Sequence, residues 1–252
     1  MTVTARPGGS YIDAALSADL AAAALETARR FHNGATLWVI SPQWEPHAHH
    51  VAVEFVHPVI MGKRALPSVA LVESDPVAQA RVASRPGDLL IAVASADEPA
   101  VLDAMRRAQA WGVQTLWIGS GPRPPAGAAN HVLWVDSADP MLPATGTFVL
   151  IYHLLWELTH VCFEHPGLLK SAADCTDDVC ITCSDQGRVA EVLLEPTDAA
   201  NEALVRTAEG EEWVDVTLLG SDHPQVTPYE LVLVHAGAAI SRIADIGQEV
   251  NR

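Results

Sequence analysis

Residues 87–121 read GDLLIAVASADEPAVLDAMRRAQAWGVQTLWIGSG. Two short apolar runs, DLLIAVA at 88–94 and VQTLWIG at 113–119, flank EPAVLDAMRRAQAWG, a segment of helical composition that ends on Gly112, where a glycine serves as a C-terminal stop. The same alternation extends outward. YIDAALSADLAAAALETARRF at 11–31 has helical composition, and TLWVI ending at 40, SVALV at 68–72 and HVLWV at 131–135 are apolar runs of strand length. TGTFVLIYHLLWELTHVCFEH is a long helix ahead of Pro166 and Gly167. Strands that are apolar throughout and separated by helices imply a parallel sheet covered on both faces.

The remainder has a different rhythm. After LLKSAADCTDD come GRVAEVLLE, EALVRTAE, EWVDVTLLG and YELVLVHAG, short β-rich runs between turn residues, and then AAISRIADIGQEV, read as a helical tail. So many short strands in so few residues suggest a small barrel or sandwich. The expected organisation is an α/β domain over 1–168, a linker over 169–178 with the boundary near 172, and a β domain over 179–252.

Composition narrows the function classes. The 252 residues are 49% apolar and 18% charged, too hydrophobic for disorder. No apolar run is expected to reach the roughly 20 residues of a membrane span, so no membrane association follows. The N-terminus lacks a basic region followed by an apolar core, which predicts a cytoplasmic protein without a secretory signal. The net charge of -16 is uneven: residues 1–170 hold 11 Lys/Arg and 15 Asp/Glu, and residues 171–252 hold 4 and 16. Such a surface repels phosphate backbones, so nucleic acid is not an expected partner. Four cysteines in a cytosolic chain leave metal binding or thiolate chemistry open rather than a disulfide framework.

The stretch at 87–121, with PHAHHVAVEF before it and RALPSVAL between, resembles the SIS domain, specifically its sedoheptulose-7-phosphate isomerase branch. The resemblance covers most of residues 10–165 and implies a doubly wound α/β fold that binds or isomerises phosphosugars. In that branch small residues after the first strand let backbone N–H groups approach the sugar phosphate. Here the corresponding loop is SPQWEP (41–46), with Trp44 and two prolines, and the second phosphate loop appears as ASADEP, where Asp97 and Glu98 repel a phosphate.

His50 and Glu54 match the family's histidine and catalytic glutamate, and their i, i+4 spacing puts both on one helix face. They are read as remnant isomerase positions, because the histidine that family members carry on the last helix falls at Phe148. His47, His49, His50, Glu54 and His57 read either as a metal or sugar site or as a solvated helix face. His153, Trp156 and His160 form a stripe expected in the core or at a subunit interface. SIS domains associate through such helices, which implies a homo-oligomer.

EWVDVTLLGS (212–221) and YELVLVHAGAAISRI (229–243) resemble the two most recognisable segments of the HypC/HupF family of hydrogenase-maturation chaperones, small barrels of OB type with a C-terminal helix. This second resemblance covers about residues 179–246. In that family a cysteine thiolate holds an iron carrying cyanide and carbon monoxide, shared with the scaffold protein HypD and passed to the hydrogenase large-subunit precursor. Soft sulfur suits such iron. The resemblance therefore implies Cys180 and Cys183, just before GRVAEV, as iron ligands, and His235 as the family's L-V-H histidine that orients the iron unit or the cysteine. Zinc is the other metal considered. It would need Cys175 and His235 beside the pair, a spacing that matches no common zinc pattern. Cys162 is expected to be a packed core thiol.

The two resemblances together imply a [NiFe]-hydrogenase maturation chaperone that delivers an Fe(CN)2CO unit, with a non-catalytic SIS domain for oligomerisation or docking. The alternative is a phosphosugar isomerase or phosphosugar-binding sensor.

Overall fold

The computed structural model describes residues 12–60, 62–135, 145–169, 187–196, 201–220 and 226–243. The first part alternates helix and strand: α1 (Ala14–His32), β1 (Leu37–Ile40), α2 (Glu45–Val56), β2 (Ser68–Leu71), α3 (Pro76–Ala83), β3 (Leu89–Val93), α4 (Pro99–Ala108), β4 (Gln114–Ser120), β5 (His131–Val135) and α5 (Thr145–Glu164). The five strands form one parallel sheet in the order β2-β1-β3-β4-β5. Strand order reverses between β1 and β3, so the crevice outside their carboxyl ends is the place where a sheet of this kind receives ligands.

Alternation along each strand distributes the core between the two faces. Leu89, Ile91 and Val93 of β3 face a cluster built with α1, α2 and α5, while Leu90 and Ala92 face a second cluster with α3 and α4, which includes Trp111, Trp117 and Trp134. Both faces are therefore covered. α1 starts on Asp13, whose carboxylate accepts the Leu16 N–H at 2.8 Å, and α3 starts on Asp75, which accepts that of Ala78 at 2.9 Å.

α5 corrects one expectation, because this 20-residue helix is long and apolar enough to cross a membrane by length and composition. Core packing accounts for that apolarity: Phe148, Ile151, Tyr152, Leu155 and Trp156 are all buried in the cluster shared with α1 and α2.

The second part is a closed barrel in the order β10-β8-β7-β6-β9, formed by β6 (Arg188–Leu194), β7 (Glu202–Thr207), β8 (Gly210–Asp215), β9 (Leu231–His235) and β10 (Ala238–Arg242). Its core is small, made of valines and alanines such as Val192, Val205, Val214, Val232 and Ala239. The run EWVDVTLLG splits into β8 and a 3-10 turn over Thr217–Leu219.

The expected helical tail is corrected over its first residues. Ala236 and Gly237 both adopt positive φ, at 49° and 80°, and turn the chain back on itself, so Ala238 pairs with His235 and Ala239 with Val234. A two-residue turn of this hand closes a hairpin, and AAISR becomes a strand that seals the barrel against β8. Residues 244–252, where a C-terminal helix was expected, lie outside the described residues.

The barrel rests on the α3–α4 side of the sheet. Leu231 belongs to the core cluster of that face, with Val189 and Ile243 packed against it. Glu191 of β6 is fully buried there, held by Arg81 at 2.8 Å, Arg107 at 2.9 Å and the Trp111 indole N–H at 3.1 Å. Arg206 of β7 donates to the carbonyls of Arg81 and Ser84.

Candidate functional site

The crevice at the β1/β3 switch point is occupied by the chain's own side chains. Ser41, leaving β1, donates its hydroxyl to the Val93 carbonyl at 2.7 Å. Gln43 reaches across to the loop after β3, where its Oε1 accepts both the backbone N–H of Ser95 at 3.0 Å and the Ser95 hydroxyl at 2.9 Å. These are donors that an anion at the entrance to α4 would require. With Glu98 at the N-cap and Asp97 beside it, that entrance carries two carboxylates. The structure thus gives a physical form to the substitution read from SPQWEP and ASADEP. A neutral carbonyl oxygen satisfies the loop, and the charges around it disfavour phosphate.

Beside this loop lies a cavity of about 620 Å³ lined by Gln43, Trp44, His47, His50, Val149 and Tyr152, among others. Trp44 packs on Phe148 with ring centroids 5.4 Å apart, and Phe148 meets His47 edge-on at 5.7 Å. Phe148 is therefore part of an aromatic wall.

The histidine that α5 brings to the site is His153. Its Nε2 lies 3.2 Å from His50 Nε2 and 3.7 Å from Glu54 Oε2. On the other side of His50, Nδ1 meets the Tyr152 hydroxyl at 2.8 Å, and that hydroxyl also lies 3.4 Å from His47 Nδ1. Helical spacing makes this possible: His47, His50 and Glu54 follow i, i+3, i+7 on α2, while Tyr152 and His153 come from the facing turn of α5. Burial, and then the neighbouring His50, push the His47 pKa down. Burial and the Glu54 carboxylate push the Tyr152 hydroxyl up to about 12.

His50, Glu54 and His153 each present one ligand atom, all within 4.8 Å of one another. Two imidazole nitrogens bound to a tetrahedral zinc at its usual bond lengths stand roughly 3.3 Å apart, close to the 3.2 Å found between His50 and His153. The donor set of two imidazoles and a carboxylate suits zinc or a similar divalent ion, and the three residues fit one.

The remaining sequence-derived candidates separate clearly. His49 is exposed and touches Glu45 at 3.3 Å, and His57 is the exposed C-cap of α2, so the structure groups neither with the trio. Trp156 and His160 are buried, His160 between the carbonyls of Trp156 and Arg64, as a core stripe requires. Only His153 of that stripe turns to the site. Cys162 is buried, with its thiol pKa pushed up by burial, as expected of a packed thiol.

Cys175, Cys180 and Cys183 lie outside the described residues, as does the linker beyond Leu169. His235 ends β9 at the β9–β10 turn, and Arg188, the first residue of β6, pairs with the neighbouring Val234. Gly187, the first described residue after the cysteines in sequence, therefore stands at the end of the barrel that carries His235.

Sequence reasoning missed Gln43, Tyr152 and the placement of His153. The available signal for the last two was a Tyr-His pair inside a mostly apolar helix.

No protein-family model matches the sequence, and no curated protein matches it. Solved structures do. The chain is similar to a phosphoheptose isomerase from Francisella tularensis, with 18% identity over 59% of this chain and 88% of that one and a TM-score of 0.52. It is also similar to a phosphoheptose isomerase from Neisseria gonorrhoeae, with 16% identity over 57% of this chain and 86% of that one and a TM-score of 0.49. Likeness at this identity speaks to fold, and the fold of the α/β part is of SIS type.

Proposed function

We propose that the chain is a [NiFe]-hydrogenase maturation chaperone that carries an Fe(CN)2CO unit as cargo on Cys180 or Cys183, receives it with a HypD-type scaffold and passes it to the large-subunit precursor. The observation that supports this reading is the barrel. EWVDVTLLGS supplies β8, and YELVLVHAGAAISRI supplies the β9–β10 hairpin that closes it. The entry to β6, directly after the cysteines, runs beside His235. In this reading a thiolate ahead of β6 is the soft ligand for low-spin iron, and His235 is the residue that would orient the iron unit or the cysteine by hydrogen bonding. In this reading the SIS-type domain is a rigid, non-catalytic platform, since Gln43 satisfies the loop that would hold a phosphate.

Replacing both cysteines, Cys180→Ala with Cys183→Ala, is expected to abolish hydrogenase maturation in the producing cell, and unchanged hydrogenase activity refutes the proposal. Protein co-purified with its assembly partners is expected to show cyanide and carbonyl stretches in the infrared.

A second reading is favoured by one observation, the convergence of His153 on His50 and Glu54. It gathers two imidazoles and a carboxylate at one point beside the cavity, groups of the kind that an enediol isomerisation uses for proton transfer. Turnover of sedoheptulose 7-phosphate by the purified protein decides for it, and absence of turnover decides against it.

A further inference from the structure

The end of the sheet opposite the switch-point crevice holds a second cavity, of about 660 Å³. Its walls are the last turn of α1 with the loop into β1, and the loop that leads from α3 into β3. Asp88 fixes these two loops against each other. One of its carboxylate oxygens accepts the Thr36 N–H at 2.8 Å, and the other accepts the Trp38 indole N–H and the Arg85 backbone N–H, each at 2.9 Å. With three donors on it, this buried carboxylate is satisfied by the fold itself. Glu26 is likewise taken, by Arg30 Nε at 2.6 Å.

The cations are not matched in the same way. Arg29 gives its Nε–H to the Leu168 carbonyl at 3.0 Å, and Arg30 gives Nε to Glu26 and Nη2 to the Gln114 side chain at 3.5 Å. A guanidinium has five N–H donors, so both side chains are pinned with donors left over. Arg85 and His32 are exposed, and among the described residues neither side chain has a hydrogen bond or an ion pair. Arg29, Arg30 and His32 also complement the negative end of α1. Arg85 comes from another element, and the helix end does not account for it. Three guanidinium groups thus line one cavity in a chain whose net charge is -16, and like charges brought together repel unless an anion offsets them.

We propose that this cavity binds a small, multiply charged oxyanion, a metabolite bearing phosphate groups or several carboxylates, which bridges Arg29 and Arg30 on one wall and Arg85 on the other. The planar fork of arginine matches both kinds of oxyanion with paired, charge-assisted hydrogen bonds. Because Arg29 and Arg30 are already held by Leu168 and Glu26, little side-chain freedom is lost when the anion arrives. The volume is that of a small-molecule site and exceeds what a single phosphate fills. His32 and Asn33 offer polar contacts to the rest of the molecule. The site lies at the other end of the strands from Gln43 and the α2–α5 histidines, and it depends on neither functional reading above.

The test titrates the full chain by calorimetry in metal-free buffer at about 0.15 M chloride, where long-range attraction is screened, with pyrophosphate in one arm and citrate in the other. One anion is expected to bind, since the acidic surface elsewhere repels a second. Tighter binding of pyrophosphate assigns the natural ligand to phosphate compounds, and tighter binding of citrate assigns it to polycarboxylates. Arg85→Gln removes an exposed side chain without a partner among the described residues, so the fold is kept, and it is expected to weaken binding by roughly tenfold, the loss of a charge-assisted hydrogen bond. Arg29→Gln is expected to act in the same direction. Arg123→Gln removes the same charge outside the cavity, at an exposed pair with Asp19 3.6 Å away, and is expected to leave the affinity as it was. The proposal is overturned if neither anion binds, if Arg85→Gln binds as tightly as the parent, or if Arg123→Gln weakens binding as much as Arg85→Gln does.

Discussion

Arg81 and Glu191 lie 110 residues apart in sequence and meet at 2.8 Å across the contact between sheet and barrel. The Glu191 side chain is fully buried, and its second oxygen is taken by Arg107 at 2.9 Å. Arg107 also donates to the Tyr229 carbonyl, and Arg81 lies over the Tyr229 ring with its guanidinium 4.7 Å from the centroid. The two parts of the chain are thus tied by a desolvated carboxylate between two guanidinium groups and by the apolar contact of Leu231, Val189 and Ile243 with the α3–α4 face.

Removing one member of such a pair leaves the rest buried and uncompensated, which costs about 3–5 kcal/mol. Glu191→Ala is therefore expected to destabilise the protein by that order in denaturant unfolding and to let the barrel and the sheet melt in separate transitions. A single transition within 1 kcal/mol of the parent contradicts this.

How much of this was legible in the sequence depends on the distance over which each feature is built. β3 and β4 were readable because LLIAV and QTLWIGS are buried on both faces, and so are apolar residue by residue. β10 was not, because Ala-Ala-Ile-Ser-Arg has no strand signature of its own. The positive φ of Ala236 and Gly237, together with pairing to β9 and β8, makes it a strand. His50 and Glu54 announce themselves four residues apart on one helix, whereas His153 joins them from 103 residues away. The Gln43–Ser95 and Arg81–Glu191 contacts span 52 and 110 residues and leave no local trace at either end.

Gly119, in the middle of the parallel sheet, is required by close approach and not by backbone conformation. A Cβ there would overlap the Trp134 ring and the Ala94 carbonyl, both already committed, Trp134 to the Gly121 carbonyl and Ala94 to the Trp117 indole N–H. Gly119→Ala is expected to lower stability by about 1–3 kcal/mol, as overpacking does. It should also perturb the near-UV signal of the Trp117–Trp134 pair, whose rings stand 6.1 Å apart. An unfolding midpoint equal to that of the parent removes the argument.

His131, at the start of β5, is half-buried beside α1, and burial pushes its pKa below the ordinary 6.5 although Glu26 and Asp19 act the other way. The folded state therefore resists protonation where the unfolded chain accepts it. Stability from this group is complete above pH 6.5 and declines as the pH falls toward the lowered folded value. His47, depressed by burial and by His50, has the same sign. Denaturant midpoints measured from pH 7.5 downward are expected to fall, and His131→Asn to flatten the slope. A slope that survives in that variant unchanged assigns the acid sensitivity elsewhere.

The hairpin that closes the barrel carries a built-in cost. Ala236 holds φ at 49°, in the left-handed region that disfavours a Cβ by about 1–2 kcal/mol and that asparagine tolerates. It is followed by Gly237 at 80°, so the pair occupies the two central positions of a turn for which Asn-Gly is the preferred sequence. Ala236→Asn should therefore raise stability by about 1 kcal/mol, without touching His235 or the register of β9 with β10, and hydrogen exchange at Ala239 should slow in proportion. A variant less stable than the parent contradicts the assignment of strain to Ala236.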